Sequence, residues 1–442
     1  MTQNASAPQP LKIAVLGAGT VGTDVIRLLG QHPKDFAHRA GAPLEIIGIG
    51  VRDSSKDRGP HVDRSLIRDD LEALVEEADI VVEVMGGQEP ARSLILHALE
   101  NGASVITANK ALLATDGPAL YEAADRHGVD ISFEAAVAGA IPLIRPLRDS
   151  LAGDRIERVL GIVNGTTNYI LDAMTRTGQS FDDALADAQR LGYAEADPTA
   201  DVEGQDAAAK ASILASLAFH SRVHLDDVFL EGITRISSDD VAAAERLGRV
   251  IKLLSVVERV TGEDGSEAIS ARVYPVMLPN AHPLASVGEA FNAVFVEAEA
   301  AGELMFYGQG AGGAPTASAV LGDLVSVARN RVFGGKEPDE SFYAKLPTAG
   351  LDALSNPFYL ALTVVDRPGV LADVAGILSE NGISISTIHQ EGATDPEGSG
   401  ASAHIGIVTH TAGEKDMQTA LEQLRSRDTV TSVDSLVRVE GE

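Results

Sequence analysis

The sequence predicts an α/β protein with three parts: a doubly wound parallel sheet, a second α+β domain and a small C-terminal domain of the ferredoxin-like type. Three observations lead to this fold class. A chain of 442 residues is too long for one ordinary core. Short apolar runs alternate with helical stretches in the first third of the chain. Apolar residues near its end follow the order strand, helix, strand, strand, helix, strand.

The parallel sheet is predicted for residues 11–146. Its first strand covers residues 12–16, and a glycine turn and a helix with apolar residues at helical spacing follow it. Further apolar runs lie at residues 44–51, 80–84 and 104–107, and helical stretches separate them. Such alternation is typical of a doubly wound sheet.

Two further domains are predicted after the sheet. Residues 147–333 combine strands with long helices, which indicates an α+β domain. Residues 334–355 are rich in glycine, proline and charge without periodicity, as is typical of a linker. Residues 356–442 form the C-terminal domain, with strands at 359–364, 383–389, 403–409 and 430–437 and helices at 370–381 and 415–425.

The composition excludes several classes of protein. With 64 acidic and 35 basic residues, the formal charge of -29 repels phosphate backbones and anionic bilayers, so neither nucleic acid nor a membrane is an expected partner. No apolar run reaches the roughly 20 residues that cross a bilayer, and the first ten residues lack a hydrophobic signal core, so a cytoplasmic location is expected. The absence of cysteine excludes disulfides and thiol nucleophiles, and with them enzymes that oxidise an aldehyde through a thiohemiacetal.

The histidines do not predict a zinc site. None of the 11 histidines has the His-Glu-x-x-His spacing, and the chain has no cysteine to complete a ligand set. We interpret His220, which lies on an apolar helical stretch, as a core residue with satisfied hydrogen bonds.

Three glycines after the first strand predict a dinucleotide site. Gly17 permits the tight turn, Gly19 lets the backbone approach a pyrophosphate, and Gly22 allows close helix packing. The N–H groups at the helix start, including those of Thr20 and Val21, are expected to bind the phosphates. This context of strand, turn and helix is typical of Rossmann-type folds, whereas a purely structural turn is the alternative.

The end of the second strand favours NADP over NAD. An acid usually accepts the ribose hydroxyl of NAD at this place, but here Arg52 precedes Asp53. A guanidinium pairs well with a 2′-phosphate, and Lys56 or Arg58 can assist it. Arg52 as a plain surface charge is the alternative, and Asp53 leaves NAD open as a cofactor.

Asp206 and Lys210 are candidate catalytic residues because they lie four positions apart in a predicted helix. That spacing places both side chains on one helix face, and the apolar run at 211–219 indicates that the helix enters a core. Desolvation lowers the pKa of a lysine and a carboxylate partner raises it, which makes such a lysine a usable proton donor. For the pair alone, an exposed salt bridge is the simpler interpretation.

The surrounding residues change that interpretation. The order and spacing of eight positions resemble the signature of homoserine dehydrogenases: Ala188, Gly192, Tyr193, Asp197-Pro198, Asp201, Gly204, Asp206 and Lys210. The resemblance extends to Thr107-Ala108-Asn109-Lys110, Glu134 to Gly139, Asn164 to Ile170, Gly308 to Gly312 and Pro315-Thr316-Ala317, so it covers nearly the whole chain. The form that the chain resembles is monofunctional and carries a C-terminal ACT domain.

The resemblance implies an enzyme that reversibly reduces L-aspartate 4-semialdehyde to L-homoserine with NADPH, in the biosynthesis of threonine, methionine and isoleucine. It implies that Lys210 exchanges a proton with the substrate oxygen and that Lys110 lines the reaction site near the nicotinamide. The other implied site residues are Glu195, Asp206, Gly192 and Tyr193 for the substrate, and Thr107, Lys110, Gly310 and Gly312 for the cofactor. The glycines at 308–312 resemble a loop that closes over the cofactor, and Pro315 is expected to start a helix over 315–332 that packs back on the first domain.

A monovalent cation, usually sodium in this family, is also implied by the resemblance. The matching ligand positions are Glu134, Val137, Gly139 and Ile141, and oxygen ligands suit a hard cation. A carboxylate at a helix start without any metal is the alternative.

The C-terminal domain is expected to bind an amino acid. The turn from Asp366 to Gly369, the helix that starts at Val370 and the segment through Asn381 resemble an ACT domain. Amides at the helix start can receive a carboxylate, and edge-to-edge pairing of two such domains would complete a pocket. The resemblance implies threonine as an inhibitory effector, and a dimerisation platform without ligand is the alternative.

Two rival functions remain at this stage. An amino-acid dehydrogenase acting on an imine is disfavoured by the Asp-Pro signature with Lys210, and a catalytically idle sensor is disfavoured by the presence of both Lys110 and Lys210. A homo-oligomer is expected, with dimer and tetramer both open.

Overall fold

The computed structural model describes residues 9–262, 264–339, 341–393 and 402–441. The chain divides into two compact units. The first unit comprises residues 1–159, 209–225 and 292–345, and the second comprises residues 160–208, 226–291 and 346–442.

The elements of the described residues, from the N-terminus to residue 162, are β1 (Leu11–Leu16), α1 (Thr20–Gln31), α2 (Pro33–Ala40), β2 (Leu44–Gly50), β3 (Ile67–Arg68), α3 (Leu71–Glu77), β4 (Ile80–Glu83), α4 (Ala91–Glu100), β5 (Ser104–Thr107), α5 (Lys110–His127), β6 (Ile131–Ser132) and β7 (Ile156–Ile162). The later elements are α6 (Gly165–Thr177), α7 (Phe181–Leu191), α8 (Thr199–Val202), α9 (Gln205–Phe219), β8 (Phe229–Leu230), α10 (Ser238–Arg246), β9 (Arg249–Thr261), β10 (Glu267–Pro279), β11 (Phe291–Ala298), β12 (Gly302–Gln309), α11 (Gly313–Phe333), β13 (Ser355–Asn356), β14 (Phe358–Val365), α12 (Val370–Glu380), β15 (Ile385–Ala393), β16 (Ser402–Thr409), β17 (Ala412–Gly413), α13 (Glu414–Arg425) and β18 (Val430–Val439).

The first unit contains a six-stranded parallel sheet with the order β3-β2-β1-β4-β5-β6. The predicted doubly wound sheet is therefore confirmed. The strand order reverses between β1 and β4, and ligands of such sheets bind at the carboxyl ends of the strands at this point. All four residues of β4 and of β5 are buried, as expected when helices cover both faces of a parallel sheet.

Helix α11 packs on the parallel sheet although it begins more than 200 residues after strand β2 of that sheet. Apolar residues of α11 such as Val320, Leu324 and Val327 share one core with the strands and with Val25 and Leu29 of α1. The helix begins at Gly313, two residues before the predicted start at Pro315. Proline is tolerated there because the first turn of a helix has no intrahelical acceptor for its N–H groups.

The second unit is built on a long antiparallel pair. Strands β9 and β10 pair over their full lengths, from Arg249 with Pro279 to Thr261 with Glu267. The short strand β8 pairs with β10 in parallel. This mixed sheet confirms the predicted α+β character of the region.

The C-terminal part of the second unit is a four-stranded antiparallel sheet with the order β18-β14-β16-β15. Helices α12 and α13 cover its apolar side, where Leu360, Val374, Ile405 and Leu421 belong to one core. The predicted ferredoxin-like fold is confirmed. Its last strand also pairs in parallel with β10, through Val276 with Arg438 and Met277 with Val439. The two sheets of the second unit are therefore continuous.

Within the described residues, no helix combines the length and the apolar character that a membrane span requires.

Candidate active site

The glycine turn between β1 and α1 has the geometry that its three glycines predict. Gly17 has a φ of +106°, and a Cβ atom there would lie 2.8 Å from the carbonyl carbon of Val84 on the neighbouring segment. A Cβ on Gly22 would lie 2.0 Å from the carbonyl oxygen of Gly17. A Cβ on Gly19 would meet nothing within 4 Å, so the backbone faces open space at this residue. The turn thus places the first N–H groups of α1, including those of Thr20 and Val21, beside open space.

The glycine loop at residues 310–313 lies against this helix start. A Cβ on Gly313 would approach Asp24 Oδ2 to 2.2 Å and the side chain of Thr20 to 3.0 Å. Gly312 has a φ of +128°. A Cβ on Gly310 would lie 2.0 Å from the side-chain nitrogen Nδ2 of Asn292. The structure therefore brings together the two glycine segments that the sequence analysis assigned to the cofactor.

The loop after β2 exposes the side chains of Arg52 and Lys56, whereas the Asp53 carboxylate forms hydrogen bonds within the loop. The Asp53 carboxylate accepts hydrogen bonds from Ser55 N at 2.9 Å and Ser55 Oγ at 2.6 Å. These bonds hold the pKa of Asp53 below its usual value. The Arg58 guanidinium donates to the carbonyl oxygens of Asp53 and Lys56, at 2.7 and 2.8 Å. The loop thus presents cationic side chains, while its acid is engaged within the loop.

A buried hydrogen-bond network joins the ends of β4 and β5. Thr107 Oγ1 donates to Glu83 Oε2 at 2.6 Å, and Glu83 Oε1 accepts from the backbone of residues 85 and 86 at 2.8 and 3.1 Å. Asn109 donates to the carbonyl oxygen of Gly87 at 2.7 Å and caps α5 through its side-chain oxygen. Lys110, half-buried, is the first residue of that helix. The network fixes the backbone from which Lys110 projects.

Helix α9 carries the candidate proton donor. Lys210 is only 7% exposed, whereas lysine is rarely so buried without a partner. Asp206 lies one turn earlier on the same face of the helix. The exposed salt bridge that the sequence left as the simpler alternative does not describe this lysine.

Asn164 holds two aspartates of the second unit. Its side-chain nitrogen donates to Asp201 Oδ1 at 2.7 Å and to Asp206 Oδ2 at 2.9 Å. Its side-chain oxygen accepts from Thr167 N at 2.9 Å and thereby caps α6. The orientation of the Asp206 carboxylate thus depends on the start of α6.

The polar turn after α7 contains the other predicted substrate residues. Gly192 ends α7 with a φ of +81°, a conformation that favours glycine. The Tyr193 ring packs at a tilt of 39° on that of Tyr169, with centroids 5.0 Å apart, and the Tyr193 carbonyl oxygen accepts from Thr166 Oγ1 at 2.7 Å. Glu195 is exposed to solvent on this turn. Of the predicted substrate residues, Asp206 is thus fixed by hydrogen bonds, whereas Glu195 is open to solvent.

A second asparagine of α6 positions the loop before β11. Asn168 Nδ2 donates to the carbonyl oxygens of Val287, Glu289 and Phe291, at 2.9 to 3.2 Å. Lys252 of β9, which is 3% exposed, donates to Asn168 Oδ1 at 3.1 Å and to the carbonyl oxygen of Val287 at 2.7 Å. Burial lowers the pKa of Lys252 to about 8, against the opposing charge of an aspartate.

Glu134, the predicted cation ligand, is 5% exposed and accepts several backbone hydrogen bonds. Its Oε1 accepts from the N–H groups of Leu143 and Ile144, and its Oε2 accepts from that of Arg145 at 3.0 Å. The Arg145 side chain pairs with both Glu134 and Asp323. Burial raises the pKa of Asp323 to about 7, although Arg145 acts in the opposite direction.

The remaining predicted cation ligands lie in the buried loop 137–141. Two successive residues have left-handed backbone, Ala138 with a φ of 57° and Gly139 with a φ of 55°. Ala140 N donates to the carbonyl oxygen of Gln309 at 3.1 Å, so this loop lies beside the glycine segment that precedes α11.

Comparison with known proteins places these features in a family. Residues 17–134 match the family model described as homoserine dehydrogenase, NAD binding domain, residues 142–325 match homoserine dehydrogenase, and residues 358–429 match the ACT domain. The chain is 56% identical over 435 residues to a homoserine dehydrogenase of Mycobacterium tuberculosis, across 98% of each chain. The chain belongs to the homoserine dehydrogenase family.

Solved structures of homoserine dehydrogenases have the same fold. The enzyme from Thiobacillus denitrificans superposes with a TM-score of 0.90 at 38% identity, over 98% of this chain and 99% of that one. A hyperthermophilic archaeal homoserine dehydrogenase in complex with NADPH superposes with a TM-score of 0.61 at 28% identity, over 75% of this chain and 99% of that one. The resemblance noted in the sequence is thus confirmed: the chain is an oxidoreductase of amino-acid biosynthesis with a nicotinamide-dinucleotide domain and an ACT domain.

The predicted effector residues of the ACT domain do not form one cluster within the chain. Asp366 is exposed on the turn after β14, and Gly369, with a φ of 94°, precedes Val370 at the start of α12. Asn381 lies at the opposite end of this helix, where it donates to the carbonyl oxygen of Ile377 at 2.8 Å and to the side chain of Gln423 at 3.0 Å. Asn381 therefore ties α12 to α13.

Three buried polar residues of the structure were not predicted individually from the sequence: Glu83, Asn164 and Asn168. In the sequence, Glu83 belongs to the apolar run at residues 80–84, and Asn164 and Asn168 belong to the family motif at residues 164–170. Glu83 directly follows three buried apolar residues of β4, and a buried polar side chain needs a hydrogen-bond partner. A glutamate in this position was therefore the signal in the sequence. For Asn164, the N-cap residue of α6, the available signal was an asparagine at a helix start, whereas the acceptors of Asn168 lie more than 100 residues away.

Proposed function

We propose that this chain reduces L-aspartate 4-semialdehyde reversibly to L-homoserine, with Lys210 as the proton donor. The observation that carries the assignment of Lys210 is its burial on α9, one turn after an aspartate that Asn164 holds. Burial removes competing water, and the carboxylate favours the ammonium form that the reduction direction requires.

In this proposal the chain's own residues bind the substrate and supply a proton. A bound reduced nicotinamide supplies the hydride, which adds to the aldehyde carbon. As the carbonyl π electrons move to oxygen, the Lys210 ammonium transfers a proton to that oxygen and becomes a neutral amine. Asp206 and Glu195 bind the substrate ammonium group, with Gly192 and Tyr193 forming the turn that carries Glu195. Lys110 adds positive charge near the nicotinamide.

Lys210→Ala tests this assignment. NADPH oxidation with aspartate semialdehyde should lose kcat by about 100-fold or more, because a positioned general acid contributes about 10²–10⁴. Lys34→Ala, which changes an exposed lysine of α2, is the matched control and should leave kcat unchanged. Full turnover by Lys210→Ala, with the far-UV spectrum of the wild type, would show that another group delivers the proton.

We propose NADP(H) as the preferred cofactor, although NAD(H) remains usable. Support comes from the exposed Arg52 and Lys56, from the engagement of Asp53 within its own loop, and from NADPH in the archaeal relative. A guanidinium recognises the 2′-phosphate that only NADP carries. Arg52→Ala should raise the KM for NADPH about tenfold and leave that for NADH unchanged. Arg39→Ala, at an exposed arginine of α2, is the control, and equal effects on both cofactors would contradict the assignment.

We propose a monovalent cation, sodium, at the loop 137–141. The donor set fits: Glu134 retains one carboxylate lone pair beside its three backbone hydrogen bonds, and carbonyl oxygens of Val137, Gly139 and Ile141 are hard ligands. Left-handed Ala138 costs of order 1–3 kcal/mol, a strain typical of ligand sites. The melting temperature should be higher in sodium chloride than in choline chloride at equal ionic strength. Identical melting temperatures would remove the cation from the proposal.

We propose that the ACT domain binds an amino-acid effector, threonine, in a homo-oligomer. Support comes from the exposed turn of Asp366 and from the start of α12 at Gly369 and Val370, which no side chain caps. L-threonine should inhibit NADPH oxidation by the wild type, and Asp366→Ala should require a higher concentration. Light scattering should give a mass of two or four chains. An unchanged rate over a wide range of threonine concentrations would contradict the regulatory part alone.

A further inference from the structure

The second unit contains a cavity away from the residues considered above. This cavity, of about 360 Å³, is bounded by the turn at 226–228 with β8, by Ser270 to Arg272 of β10, and by residues 349–354. Pockets of this size accommodate small ligands. No residue of this cavity has a role in the proposed reaction.

The edge of β10 directs backbone groups into this cavity. Ile269 donates its N–H to Pro347 and accepts from Ala349 N, at 2.8 and 2.7 Å. Further along, Val273 accepts from Glu231 N at 2.8 Å on the same edge, since β9 occupies the other edge. Alternate residues of a strand direct their N–H and C=O groups to the same side. The C=O of Ala271 accepts from Phe229 N–H in the parallel pairing of β8 with β10. The N–H of Ala271 points between the two flanking segments, where the cavity lies.

A buried cation lines the same cavity. Arg272 is 2% exposed, and each nitrogen of its guanidinium contacts one acceptor: Tyr274 OH, Ser270 Oγ at 2.8 Å, and Glu258 at 2.6 Å. Each terminal nitrogen of a guanidinium carries a second N–H bond, so Arg272 retains donors for a further acceptor. The hydroxyl of Ser270, which accepts from Arg272, can itself donate.

The opposite wall of the cavity is acidic. Asp226 and Asp227 are exposed residues of a short turn that borders the cavity, whereas Val228, Leu230 and Leu354 give it an apolar side. A simple anion would be repelled by the two carboxylates, and a simple cation would leave the N–H donors of Ala271 and Arg272 without an acceptor. A zwitterion satisfies both walls, because its carboxylate faces the N–H donors and its ammonium faces the carboxylates.

We propose that this cavity binds a compact L-α-amino acid, at a site separate from the turn before α12. The carboxylate accepts from Ala271 N–H and from the Arg272 side of the cavity, and the ammonium donates to Asp226. The wall at 349–354 leads directly into the ACT domain, since Glu414 N donates to the carbonyl oxygen of Leu354 at 2.9 Å. A ligand here touches both the β10 sheet and the segment that enters the ACT domain.

The test uses calorimetric titration of the full chain with glycine, L-alanine, L-serine, L-threonine and L-valine. It is carried out in an Asp366→Ala background, so that the outcome does not depend on the effector turn proposed above. At least one of these amino acids should bind, and propionate, which lacks the ammonium, should not. Binding by none of the five, or equal binding of propionate, would overturn the proposal.

Two variants locate the binding to the cavity. Gly350 lies on the wall with a φ of -70°, and a Cβ there would meet nothing within 4 Å, so Gly350→Leu fills space without backbone strain. Gly350→Leu should weaken amino-acid binding at least tenfold. The double variant Asp226→Asn with Asp227→Asn should do the same. Gly153→Leu, at an exposed glycine with equally open surroundings, is the control. Unchanged binding in both cavity variants would place the amino acid elsewhere and refute the assignment, whereas NADPH oxidation reports separately on the proposed reaction.

Discussion

Replacing Lys252 by methionine should change how the stability of the protein depends on pH. The methionine keeps the length of the side chain but removes the charge that burial penalises. In the folded chain the pKa of Lys252 is about 8, compared with an ordinary value of 10.5. The unfolded chain therefore binds more protons between these two values, and the free energy of unfolding of the wild type rises with pH across this window.

The expected magnitude follows from those two pKa values. Linkage gives a penalty for the buried ammonium of about 3 kcal/mol at pH 7 and about 1 kcal/mol at pH 10. The difference in free energy of unfolding between wild type and Lys252→Met should therefore shift by about 2 kcal/mol in favour of the wild type between these pH values. The variant also leaves Asn168 Oδ1 and the carbonyl oxygen of Val287 without this donor. The free-energy cost of losing these two hydrogen bonds does not vary with pH.

Urea unfolding, followed by far-UV circular dichroism at pH 7, 8, 9 and 10, measures this shift. Lys34→Met, at an exposed lysine of α2, corrects for the general effect of removing a lysine. A wild-type advantage over Lys252→Met that stays constant from pH 7 to pH 10 would show that Lys252 keeps an ordinary pKa. The desolvation argument for this lysine would then be wrong.

Three further substitutions probe the candidate site. Gly22→Ala should weaken NADPH binding at least tenfold in a fluorescence titration, because its Cβ would displace the glycine turn, whereas Gly30→Ala on the same helix should not. Asn164→Ala should raise the KM for aspartate semialdehyde about tenfold, because Asp206 loses a charge-assisted hydrogen bond of about 1.5–3 kcal/mol; an unchanged KM would separate Asp206 from the substrate. Thr107→Val should lower the free energy of unfolding by about 1.5–3 kcal/mol in urea titrations, because a buried carboxylate loses its donor, and Thr107→Ser should restore it.

The features that the sequence predicted well are those that depend on neighbouring residues. The glycine turn, the strands of the parallel sheet and the helices of the ACT domain each carry their signal within about a dozen residues. Strand β9 gave no such signal, because residues 251–257 are all buried and the alternation of apolar and polar residues disappears. A strand buried on both faces cannot be distinguished from a helix by periodicity alone.

The features that the sequence missed depend on distant partners. The role of Glu83 is set by Thr107, which lies 24 residues later, and the position of Asp206 is set by Asn164, 42 residues earlier. His220, interpreted as a core residue, instead adopts a left-handed backbone at the end of α9 and stacks on Tyr343 with ring centroids 4.7 Å apart. Its neighbours in space come from residues 341–344, more than 100 positions away, which no local pattern identifies.

The pairing of β18 with β10 has a consequence for protein engineering. Truncating the chain before residue 355 would remove β18, the strand that pairs with Val276 and Met277 of β10. An exposed strand edge can pair with other chains and cause aggregation. It would also remove Arg438, whose guanidinium lies 2.9 Å from Glu231 and 4.6 Å from the ring of Tyr274. A chain shortened in this way would therefore need a new residue at position 231 and a blocked edge on β10 to avoid aggregation.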